Sequence, residues 1–203
     1  MIKKILLILI VAILAFAAYV AFLPGQYSVE RSATIAGSPE AVFAHVNSFK
    51  KWEDWSPWAK RDPKAKTAYE GPAEGKGSIF KWDGNDDVGK GQMSIVESDP
   101  TQKIAIKLDF ERPMKGASDV GFKFEQEGDG TKVSWSLEGE QGFVERAIML
   151  VMGLNMDEMI GKEYETGLAS LKRIVETEQS APAVPAEPAA PAEPSAQAAP
   201  DQG

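Results

Sequence analysis

Residues 27–43 read YSVERSATIAGSPEAVF, and a change of period inside this stretch sets the architecture. Tyr27, Val29, Ala33 and Ile35 alternate with Ser28, Glu30, Ser32 and Thr34, which is the period of a strand with one buried face. At Gly37 the alternation stops. Ser38 suits a helix N-cap, Pro39 the first helical position and Glu40 the first turn, so a short helix carrying Val42, Phe43 and Val46 follows. A second helical turn runs from Phe49 to Trp55 and stops at Ser56-Pro57.

Working outward, period two returns at Thr67 and persists through five candidate strands separated by turn signals. Phe80 and Trp82 precede Asp83-Gly84-Asn85; Met93 and Ile95 precede Asp99-Pro100; Ile104, Ile106, Leu108 and Phe110 precede Arg112-Pro113. Val120, Phe122 and Phe124 then lead to the hairpin signal Gly128-Asp129-Gly130, and Val133, Trp135 and Leu137 close the series. Short connections of this kind join antiparallel neighbours, so about six antiparallel strands are expected in all. From Ile148 to Val175 the apolar residues recur at three- and four-residue steps, with Gly153 and Gly161 as soft points. That spacing predicts one long C-terminal helix, the element large enough to cover the apolar face of the sheet.

The order is carried by particular motifs: Val29 to Ile35 followed by Ser38 to Phe43, Trp52 with Trp55-Ser56-Pro57-Trp58, and Val88 to Gly91. Gly128 to Val133 and the closing Tyr164, Glu165, Gly167, Leu168, Leu171 and Lys172 complete the set. Together they resemble the START-like (SRPBCC) helix-grip superfamily, which includes polyketide cyclase/dehydrase-like and lipid-transfer-like proteins. The resemblance spans Tyr27 to Val175. It implies an α+β helix-grip fold, an antiparallel sheet wrapped on a long C-terminal helix. For function it implies binding, transfer or catalysis on one scaffold.

Two appendages flank this domain, giving the expected division 1–24, 25–178 and 179–203. Residues 5–23 are uncharged and almost wholly apolar, and as a helix they would reach roughly 28 Å, against a bilayer core of about 30 Å. A cleaved signal peptide is the competing reading, because Ala15-Phe16-Ala17 has the small-x-small form, but the apolar run continues to Leu23 before Pro24-Gly25. With Lys3 and Lys4 ahead of the run, the positive-inside bias predicts a single-pass inner-membrane protein whose domain lies in the periplasm. Gln179 to Gly203 is rich in Pro and Ala with no aromatic residue, and is read as a disordered extended tail whose partner, if any, the sequence does not name.

Composition narrows the chemistry. There are 22 Lys and Arg against 30 Asp and Glu, a net charge of −8, one His and no Cys. Thiol nucleophiles, Cys-containing zinc sites and His-pair metal sites are thereby excluded, and the acidic balance without a basic block argues against nucleic acid as partner. Asp83-Gly84-Asn85-Asp86-Asp87 imitates a calcium loop but has Val88 at the sixth position and Ser94 at the twelfth, so no metal site is expected. Gly71 to Gly77 lacks the spacing of a phosphate-binding loop. His45 has no partner at a recognisable spacing and is expected at the surface or its boundary; no catalytic residue and no cofactor are assigned. Trp52, Trp55 and Trp58, beside Lys50, Lys51, Lys60 and Arg61, are expected to pack and not to face a membrane.

What remains is a ligand cavity. Met149, Met152, Met156 and Met159 on the last helix are expected to face Phe80, Trp82, Met93, Phe110, Phe122, Phe124 and Trp135, a polarizable apolar lining suited to varied hydrophobic ligands. The expected function is binding of a hydrophobic small molecule or lipid by a membrane-anchored extracytoplasmic domain. A cyclase/dehydrase-like enzyme and a protein-interaction module are the alternatives.

Overall fold

The computed structural model describes residues 1–180. Helix α1 (Ile2–Phe22) leads through Pro24-Gly25 into strand β1 (Gln26–Ile35), and helix α2 (Pro39–Val46) begins where Ser38 Oγ accepts the Ala41 N–H at 3.3 Å. A 3-10 turn over Phe49–Lys51 and the one-turn helix α3 (Trp52–Trp55) follow. The meander then comprises β2 (Lys66–Glu70), β3 (Ile79–Asp83), β4 (Lys90–Asp99), β5 (Lys103–Arg112), β6 (Gly116–Glu127) and β7 (Gly130–Glu140). Helices α4 (Phe143–Met152) and α5 (Met156–Ser180) end the described chain.

All neighbouring strands are antiparallel, in the order β1-β7-β6-β5-β4-β3-β2. The register builds rows of inward side chains across the sheet. Val29, Leu137, Val120, Ile106 and Ile95 form the central row, with Arg31, Trp135, Phe122 and Ile104 beside it on the side toward α2. On the other side, toward the entry of β1, come Tyr27, Gly139, Ser118, Leu108, Met93, Phe80 and Tyr69, then Phe110, Gly91 and Trp82. Helix α5 covers the first of these two sides. Tyr164 stacks on Trp135 with ring centroids 3.8 Å apart, and at the far end the Glu176 carboxylate accepts the Ala36 N–H at 2.9 Å.

The Trp cluster is core, as expected. Trp52 and Trp55 are buried, and their indole N–H groups donate to the carbonyls of Val46 (2.9 Å) and His45 (3.2 Å), satisfying acceptors that the end of α2 would otherwise leave open.

Several expectations need correction. The sheet has seven strands, because the first stretch expected after Thr67 is two: the short edge strand β2, with Tyr69 as its one large inward residue, pairs antiparallel with β3, which carries Phe80 and Trp82. The expected single C-terminal helix is two: Gly153 adopts φ 63°, ending α4, and Asn155 Oδ1 accepts the Asp157 N–H at 2.8 Å to start α5. Met149, Met152, Met156 and Met159 therefore do not share one helical face. His45 is buried, not superficial, and its Nε2 lies 3.0 Å from Glu178 Oε2 near the end of α5. Helix α5 also continues through Ser180, two residues past the expected domain end; the remainder of the tail lies outside the described residues.

Candidate functional site

The inward face of the sheet has two halves of different character. Beneath α5, Phe122, Phe124 and Trp135 are buried and locked by their neighbours: Phe122 stacks on Trp135 at 5.0 Å, Trp55 meets Trp135 edge-on at 5.4 Å, and Phe43 meets Phe124 at 5.4 Å. Aromatic pairs at these separations fill the space between helix and sheet, and the burial raises the pKa of the Tyr164 hydroxyl. These three strand residues belong to the buried core and not to the partly covered part of the face.

Toward the entry of β1 the same face is only partly covered. Phe80, Trp82, Met93, Leu108 and Phe110 are half-buried, and their rings run in sequence: Tyr69 to Phe80 at 5.2 Å, Phe80 to Trp82 at 5.8 Å, Trp82 to Phe110 at 5.5 Å. Trp82 is fixed by its Nε1–H, which donates to the Val88 carbonyl at 2.9 Å. At the β1 end of the row, Tyr27 Oη and Ser118 Oγ lie 2.9 Å apart and partly buried, giving the apolar stripe a hydroxyl pair. At the other end Tyr69 donates to Glu53 at 2.6 Å, and burial, reinforced by that carboxylate, pushes its pKa up. A concavity of about 160 Å³ beside it is lined by Phe49, Tyr69, Pro72 and Ile79 among others.

The methionines divide. Met93 belongs to the half-buried stripe, and Met156, in the first turn of α5, packs against the core. Met159 and Met152 are exposed, and Met149 is half-buried on α4, which packs against α1. Of the residues expected to line a cavity, the structure thus brings together Phe80, Trp82, Met93 and Phe110. Sequence reading missed Tyr69, Leu108, Tyr27 and Ser118. The alternation puts Leu108 and Tyr27 on inward faces, and only the strand register reveals that they join the open row.

One polar group also sits on the inward face. Arg31, opposite Trp135, bonds Asp157 through Nη1 at 2.9 Å and Glu165 through Nε at 2.8 Å, pinning α5 to β1. These bonds raise the pKa of Arg31 and hold the Asp157 carboxyl below the usual carboxylate range. The carboxylates are committed to the clamp. Among the described residues no three His, Asp or Glu side chains converge as metal ligands would.

Comparison with known proteins gives a family and a fold. Residues 26–176 match the family model described as polyketide cyclase / dehydrase and lipid transport. Similar solved structures include protein CV1439 from Chromobacterium violaceum (14% identity, TM-score 0.53, covering 73% of this chain and 96% of that one). The Aha1 dimer from Colwellia psychrerythraea is similar at 16% identity and TM-score 0.53, over 74% and 96% of the two chains. The di-domain ARO/CYC StfQ of the steffimycin biosynthetic pathway is similar at 13% identity and TM-score 0.55, over 77% of this chain and 53% of that one. At these identities the likeness is one of fold. No curated protein sequence matches.

Proposed function

The chain belongs to the polyketide cyclase/dehydrase and lipid transport family, and on that premise we propose that it binds a hydrophobic small molecule or lipid while anchored to a membrane by α1. The observation that carries the reading is the half-covered stripe of Phe80, Trp82, Met93, Leu108 and Phe110. It occupies the end of the sheet where β1 begins, and α1 enters β1 at that same end. An apolar stripe with the Tyr27–Ser118 hydroxyl pair at its edge suits an amphipathic ligand: the rings take the hydrocarbon and the hydroxyls take one polar group. Helix α1 has 21 residues and is long and apolar enough to cross a bilayer. On this reading the bilayer that α1 spans is the reservoir of such ligands.

Photo-crosslinking tests the proposal. The full chain is reconstituted in vesicles containing a lipid with a photoreactive group on its acyl chain, and adducts are mapped by peptide mass spectrometry. Adducts are expected on β3, β4 and β5 as well as on α1. Met93→Trp, which fills the stripe with a ring, is expected to abolish the strand adducts and keep those on α1. Adducts confined to α1 in the native chain would rule out the stripe as a lipid site.

A further inference from the structure

Helix α4 has the wrong side out for a protein surface in water. Val144, Ile148, Val151 and Met152 follow the i, i+4, i+7, i+8 spacing of one helical face and are 62%, 42%, 73% and 63% exposed. Opposite them lie Arg146 and Met149, both half-buried. Arg146 Nη1 donates to the Leu23 carbonyl at the end of α1, and its Nε is buried without a partner among the described residues. Glu145 folds back on its own helix, where its carboxylate accepts the Gly142 N–H at 2.8 Å. Arg146 is thus turned toward the protein and Glu145 is held at its own helix end, while the most exposed side chains of α4 are apolar, Phe143 and Leu150 at its flank being exposed as well.

The position of α4 says what covers that face. Gln26 pairs with Glu140, and the Gln141 N–H donates to the Gly25 carbonyl at 2.8 Å, so α4 starts beside the point where α1 joins the sheet. The two helices pack together there, and Val20 is the buried residue of α1. The exposed apolar surface of α4 is therefore continuous with that of α1. The four residues of that face carry no hydrogen-bonding side chain, whereas specific protein interfaces add a polar rim to an apolar centre.

We propose that α4 is an in-plane membrane helix, with Val144, Ile148, Val151 and Met152 lying in the headgroup–acyl boundary of the bilayer that α1 spans. The inference rests on reading α1 as membrane-spanning. It adds a second attachment point, which fixes the domain's orientation and holds the open end of the aromatic stripe against the lipid surface.

Because the sequence has no Cys, one introduced Cys can carry an environment-sensitive fluorophore. Full-length Val151→Cys is labelled and reconstituted in phosphatidylcholine/phosphatidylglycerol vesicles, with Leu9→Cys in α1 and the exposed Lys123→Cys in β6 as references. The label at position 151 is expected to shift to the blue. It should be quenched severalfold more than the label at 123 by a lipid nitroxide near the headgroup, at a depth of about 5–10 Å. The label at position 9 should respond best to a nitroxide deep in the acyl chains. Quenching at 9 without quenching at 151 overturns the inference and leaves the span standing; no quenching at either site overturns both. Should the unlabelled Val151→Cys chains cross-link as disulfide dimers and the face exclude nitroxides, a second copy covers it and the inference is wrong.

Discussion

At Gly167 the core tolerates no side chain. A Cβ there would lie 2.7 Å from the Trp135 ring and 3.1 Å from Pro57 Cδ, both held by packing. Gly167→Ala is expected to cost up to about 2 kcal/mol net, since overpacking costs roughly 1–3 kcal/mol and the helix regains about 1 kcal/mol on leaving Gly. Thermal denaturation followed by circular dichroism measures it. A second expectation at this scale concerns acid. Asp157 is held down by Arg31, and Glu176 by the Ala36 N–H first and Lys172 after it. Depressed carboxylates contribute stability that is present above their unfolded pKa and lost as pH falls through their folded pKa. The contribution of Asp157 and Glu176 should therefore be complete above the ordinary carboxylate range and be lost as pH falls from that range through their lowered pKa. Carbon-detected NMR titration should give Asp157 a midpoint below that range in the native chain and within it in Arg31→Gln; an unchanged midpoint would mean that the guanidinium is not the cause.

Elements were legible wherever one residue's role repeats along a segment. Val133, Trp135 and Leu137 alternate without interruption, and Ser38-Pro39-Glu40 states a helix start in three residues, so β7 and α2 could be read directly. β2 could not be told from β3, because Tyr69 is its one partly buried residue and a single inward position makes no alternation. The methionine series misled for a related reason. Met149 and Met152 keep helical step with Met156 and Met159, and periodicity alone does not register that Gly153 turns the chain between them. Nor does period distinguish an apolar face turned inward from one turned outward, which is why α4 reads like core. Gly153 is the place to test this. Its φ of 63° suits Gly, and Gly153→Ala is expected to cost about 1–2 kcal/mol of stability, read from chemical denaturation, because an L side chain is strained there. A neutral result would indicate that α4 and α5 join into one helix without penalty.

For the molecule as a whole, orientation is the open quantity that decides biology. Lys3 and Lys4 precede α1, so the positive-inside bias predicts that a reporter active only outside the cytoplasm, fused after Ser180, is active, and that replacing both Lys by Glu weakens the activity. Activity of a cytoplasm-only reporter on the native chain would reverse the assignment. The same geometry has a mechanical side. Chain enters the domain at Gln26, at one end of β1, and leaves α5 beside Ala36 and His45, at the other. A pull between a bilayer holding α1 and anything grasping the chain beyond Ser180 would thus run along β1 and not across it. The hydrogen bonds from Gln26–Glu140 to Ile35–Thr131, and the α5 contact on the same strand, would all bear the load at once in shear, so the strand could not be peeled away one bond at a time.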